Sequence, residues 1–158
     1  MSLLTLFTWF ESSWIGEGIR ASRWLFPVIE SVHLLALAVI GGSVLAVDLS
    51  LLGLGLGRRS AAQLWHDTWP WFAGSLAMML GSGFLLFTSE AVKLYYHGAF
   101  WVKMSALLLA LVFTAMVQRR TALADPDRMT LLRSRAVALV SLFLWSLVGG
   151  AGRWIGFS

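Results

Sequence analysis

From Trp24 to Leu54 the chain can ionise at only three positions, Glu30, His33 and Asp48; every other residue there is apolar, small or hydroxylic. A helix crosses a hydrocarbon layer of roughly 30 Å with about 20 such residues, rising ~1.5 Å at each. Three further runs meet the same condition. They extend from Thr68 to about Ser89, from Ala99 to about Val117 with Lys103 near the start, and from Ala136 to about Trp154 with Arg153 near the end. None alternates apolar with polar residues, so they are not strands of a membrane barrel. The expected fold is all-α, an integral membrane four-helix bundle with spans at about 24–54, 68–92, 99–118 and 135–156.

Composition agrees. Of 158 residues, 58% are hydrophobic and 13% charged, whereas a soluble domain carries roughly a quarter charged residues. A core of this size cannot hide so much apolar surface, and so oily a chain is not disordered. About 150 residues without a linker-like stretch make one domain. The nine Trp and ten Phe suit the boundary between lipid and water. The absence of Cys excludes disulfides, thiolate metal sites and cysteine nucleophiles. The net charge of +4 is scattered between the apolar runs, so it speaks of topology and not of nucleic acid.

Ahead of the first span, Leu3, Phe7, Phe10 and Trp14 recur at helical spacing, with polar residues on the other faces. This predicts an amphipathic interfacial helix over about 2–15, lying in the headgroup plane. It lacks the basic start of a cleaved signal, and Gly16 and Gly18 supply the break that follows. Arg58 and Arg59 after span one, and Arg119, Arg120, Arg128, Arg133 and Arg135 around the loop after span three, outnumber Arg20, Arg23 and Lys93 on the other side. Basic loops stay inside, so both termini and the Glu90–Ala99 connection are expected on the non-cytoplasmic side of the membrane.

Ionisable groups within spans are costly, from about 2.5 kcal/mol at mid-bilayer, and mark function. With this topology Glu30, His33, Glu90, Lys103 and Arg153 fall in one outer layer of the bundle, below a loop holding Tyr95, Tyr96 and His97. Glu30 and His33 share a helix face, being three residues apart. Asp48, at the inner end, is expected to pair with Arg58, Arg59 or Arg119. The glycines of Gly41–Gly42 and Gly53–Leu54–Gly55 read as helix packing, as do those before Arg153.

The outer layer admits several readings. An intramembrane imidazole is what haem b requires as axial ligand. His33 is the candidate, Lys103 and Arg153 would meet the propionates, and Met104 or His97 are candidates for the second ligand; His66 lies on the other side. A quinone is the related alternative, because Glu30 and His33 can exchange protons with its oxygens. Both readings describe an electron-transfer module without catalysis of its own, served by a membrane redox partner or by a second copy of the chain. The alternative from another class is an accessory subunit whose ion-paired layer ties the helices together. A copper- or solute-handling protein using Glu30, His33 and His97 is a further one. No nucleophilic triad and no phosphate-binding glycine motif is present.

The stretch Trp24-Leu-Phe-Pro-Val-Ile-Glu30-Ser-Val-His33-Leu-Leu-Ala-Leu, the segment Asp48-Leu-Ser-Leu-Leu-Gly53, Phe100-Trp-Val-Lys103 and Gly152-Arg153-Trp-Ile-Gly-Phe resemble an uncharacterised family of small bacterial inner-membrane proteins. That family is similar in layout to CopD-like and cytochrome b561-like four-helix proteins. The resemblance implies four helices, an inner-membrane location and attention to Glu30, His33, Lys103 and Arg153. It implies haem only by analogy of layout. Proteins of the b561 type carry paired His residues on facing helices, where this chain has a single intramembrane His.

Overall fold

In a computed structural model, which describes residues 2–54, 59–124 and 130–156, the chain is 88% helical and without strands among those residues. The helices are α1 (Leu3–Glu11), α2 (Trp14–Ala21), α3 (Leu25–Leu51), α4 (Ala61–Ser89), α5 (Ala91–Tyr96), α6 (Gly98–Ala122) and α7 (Leu131–Ile155). Four of them, α3, α4, α6 and α7, are long and apolar enough to cross a membrane. Their outward surfaces carry Leu35, Leu45, Met78, Leu80, Leu108, Leu109, Leu139 and Phe143, a lipid-facing coat that a soluble fold would bury.

α3 packs along α4 and, on its other side, against α7, which packs along α6. The middle of the bundle is filled by Ala36, Ile40, Val44, Phe72, Met79, Ala106, Ala110, Trp145 and Val148. A second cluster, with Val47, Leu51, Leu64, Trp65 and Ala138, closes the Asp48 end. At the His33 end Phe7 of α1 buries its ring edge-on against Phe87, Tyr95 and Phe100. The interfacial segment is therefore tied to the bundle through Phe7, while Leu3, Leu6 and Trp9 remain exposed.

Several boundaries differ from the sequence expectation for local reasons. The N-terminal segment forms two helices, and the break falls at Ser12–Ser13. Ser13 caps α2 by accepting from the Gly16 amide, so Gly16 and Gly18 lie inside α2 and do not interrupt it. Gly16 is instead a contact point: a Cβ there would collide with the Thr88 carbonyl oxygen. α4 begins at Ala61, ahead of the apolar run, because Ser60 and Gln63 form a reciprocal capping box. The Glu90–Ala99 connection contains α5, which carries Tyr95 and Tyr96. Gly53, read as packing, is a helix terminator. With φ +82° it lets its own amide and that of Leu54 return to the Ser50 and Leu49 carbonyls. Gly55, Arg58 and Arg128 lie outside the described residues.

Candidate functional site

His33 sits in the third turn of α3 and is 7% exposed. Ser82 of α4 stands opposite. Its hydroxyl donates back to the Met78 carbonyl at 2.7 Å, as buried helical serines do. Its lone pairs therefore remain to accept from His33 Nδ1 at 3.1 Å. That assigns the ring proton to Nδ1 and leaves Nε2 as the acceptor nitrogen. Lys103 of α6 reaches Nε2 from the other side at 3.4 Å. Ammonium, imidazole and hydroxyl thus form one line across the bundle interior.

Two glycines make the line possible. A Cβ on Gly83 would lie 3.0 Å from His33 Cε1, and one on Gly152 of α7 would lie 3.3 Å from Lys103 Nζ. α4 and α7 therefore come against the two side chains with bare backbone. Gly152 is in the last turn of α7, where the free carbonyls carry partial negative charge that favours a cation. Glu30, one turn before His33, brings Oε1 to 3.8 Å from the position a Cβ would take on Gly156, just past that helix end. Arg153 stands in the same last turn.

The structure thus gathers Glu30, His33, Lys103 and the end of α7 that bears Arg153. It does not gather all that the sequence placed there. Glu90 turns to Lys93 on the surface at 3.8 Å, and Lys103 meets an imidazole where an ion-paired layer would give it a carboxylate. Met104 is 37% exposed on the outward face of α6. His97 precedes α6, with no hydrogen bond to His33, Glu30 or Lys103 among the described residues; its Nδ1 is buried without a partner. Ser82 went unnoticed in the sequence, where nothing separates it from the other intramembrane serines.

A haem on His33 is a poor match to this arrangement. Nδ1 is held by Ser82, Nε2 faces the Lys103 ammonium, and the α4 backbone at Gly83 lies against the ring edge. Iron would need the lone pair that Lys103 occupies, and Met104 is exposed on α6. No group of three or more His, Asp and Glu side chains suited to a metal ion occurs among the described residues.

At the opposite end Asp48 is fully buried and takes a 2.7 Å hydrogen bond from Gln118 Nε2. Of the expected arginine partners, Arg59 binds Asp67 at 3.1 Å and Arg119 makes no ion pair with Asp48 among the described residues; Arg58 lies outside them. Gln118 is the last residue of a π-helical turn, Thr114–Gln118, within α6, an irregularity that often accompanies functional positions.

Fold and polar layers together define a multi-pass helical membrane protein with ionisable side chains turned into its bundle. Within that class the chain belongs to the DUF6644 family, a family of unknown function whose pattern matches residues 6–158. No curated protein and no solved structure matches the chain.

Proposed function

We propose that the chain is a bacterial inner-membrane electron-transfer module that receives a quinone head group at the Lys103–His33 pair, with both termini on the non-cytoplasmic side. The observation that carries this reading is the line Lys103–His33–Ser82. An ammonium and an imidazole held inside an apolar span are expensive to insert and are kept for what they do. A quinone carbonyl accepts from the Lys103 ammonium. A quinol hydroxyl donates to His33 Nε2 once the Lys103 ammonium has swung from that lone pair onto the head group's oxygen, and Glu30 is the second proton acceptor nearby. The electrons pass to a membrane redox partner. Between α6 and α7 a shallow groove of about 350 Å³, lined by Ala99, Val102, Gly150, Ala151 and Trp154, offers an isoprenoid tail a place on the same two helices that carry Lys103 and Gly152.

A second reading is favoured by one observation: each spanning helix contributes to the cluster, α3 through His33, α4 through Ser82 and Gly83, α6 through Lys103 and α7 through Gly152. Such a cross-brace is what an accessory subunit needs. Titration of the protein in nanodiscs with a short-tailed quinone, followed by tryptophan quenching, separates the two. Saturable quenching that is lost in His33→Ala and Lys103→Met, while both variants still melt cooperatively, supports the quinone site. Quenching that is absent, or equal in wild type and variants, leaves the cross-brace. An absorption spectrum of the same preparation is expected to lack a Soret band.

A further inference from the structure

The Asp48 end of the bundle poses a question that the His33 layer does not answer. Asp48 is 0% exposed, Gln118 1% and Ser141 0%. They belong to three different helices, α3, α6 and α7. Gln118 Nε2 binds Asp48 Oδ1, and the Ser141 hydroxyl faces the same carboxyl without reaching hydrogen-bond geometry. That leaves Asp48 Oδ2, Gln118 Oε1 and Ser141 Oγ, three buried oxygens, each without a partner. Buried polar atoms are almost always satisfied, so three left open in one place mark a missing binding partner. Among the described residues no Lys or Arg makes an ion pair with Asp48, and a carboxylate ionised in such a place needs a counter-charge.

From this we propose that Asp48, Gln118 and Ser141 bind a small alkali cation of the Na⁺ class within the membrane-spanning bundle. Every open ligand atom is oxygen, the donor type that hard cations take. One carboxylate balances one positive charge, which selects a monovalent ion over a divalent one. The π turn re-aims Gln118 inward: buried positions Ala110, Thr114 and Gln118 follow one another at intervals of four, closer to one line than a regular helix keeps them. Next to Gln118 lies a cavity of about 10 Å³, lined also by Ser43, Thr68 and Thr114 but by neither Asp48 nor Ser141, on the threshold of holding one water. The site is separate from the His33 layer and does not depend on a quinone binding there.

Thermal unfolding in detergent, read from tryptophan fluorescence at constant ionic strength, tests this with NaCl against choline chloride, whose cation is too large to enter. In the wild type the midpoint should rise with the logarithm of Na⁺ concentration once the site begins to fill. Asp48→Asn should abolish the rise. Ser141→Ala keeps the carboxylate and should shift the response to roughly tenfold higher Na⁺, which serves if Asp48→Asn does not fold. His33→Ala should leave the response intact. A wild-type midpoint equal in NaCl and choline chloride at every concentration overturns the proposal, and so does one that moves only with pH, since a proton would then balance Asp48.

Discussion

At the scale of the residue, the account rests on where a side chain is missing as much as on where one is present. Gly81 and Gly83 are two residues apart on α4, yet only Gly83 faces His33. Gly83→Ala should cost about 1–3 kcal/mol, the range for overfilling a packed site, because the imidazole cannot retreat without leaving Ser82 or Lys103. Gly81→Ala meets nothing within 4 Å and should be neutral or add up to about 1 kcal/mol from helix propensity. Chemical unfolding of the two variants in parallel checks the contrast; equal effects would mean that the ring is not held against α4. Gly16→Ala should be worse than either, since its neighbour is the Thr88 backbone and backbone cannot rotate away. The sequence made Glu30, His33 and Lys103 visible because a charge-bearing residue in an apolar run stands out. It hid Ser82, because a serine that bonds its own helix and one that also orients an imidazole are written alike.

Elements were legible where a local property sets them. Four spans follow from apolar length alone, and α3, α4, α6 and α7 are those spans. Their ends were less so, because caps compete with hydrophobicity. α4 starts early, since Ser60 and Gln63 satisfy the first free amides of the helix in a stretch too polar to read as membrane. Ser60→Ala should cost about 1 kcal/mol and fray the first turn, visible as faster amide exchange at Leu64 and Trp65 with the rest of α4 unchanged. Gly53→Ala should likewise cost roughly 1–2 kcal/mol, since φ +82° disfavours a Cβ. The π turn of α6 had no signature in the sequence. Nor had the Asp48–Gln118 bond: which of Gln118, Arg58, Arg59 or Arg119 meets that carboxyl depends on how α3 and α6 are set against each other, and Arg58 lies outside the described residues.

For the whole molecule, the proposed orientation rests on the distribution of Arg and Lys over short loops. Because the chain has no Cys, single cysteines report it cleanly. In spheroplasts, Ser2→Cys should react with a membrane-impermeant maleimide, and Ala124→Cys, in the turn after α6, should react only after lysis. The reverse pattern would move the Lys103–His33 pair to the cytoplasmic half of the membrane. Both polar layers would keep their internal geometry, since none of their bonds refers to the lipid.

The functional account turns on one hydrogen-bonded line, and nitrogen NMR of ¹⁵N-histidine-labelled protein observes it directly; with three His in the chain the spectrum is assignable by substitution. The account predicts that His33 carries its proton on Nδ1, that Nε2 resonates as an acceptor, and that the Nε2 signal moves in Lys103→Met while Nδ1 moves in Ser82→Ala. A ring protonated on Nε2, or one indifferent to both substitutions, would contradict it.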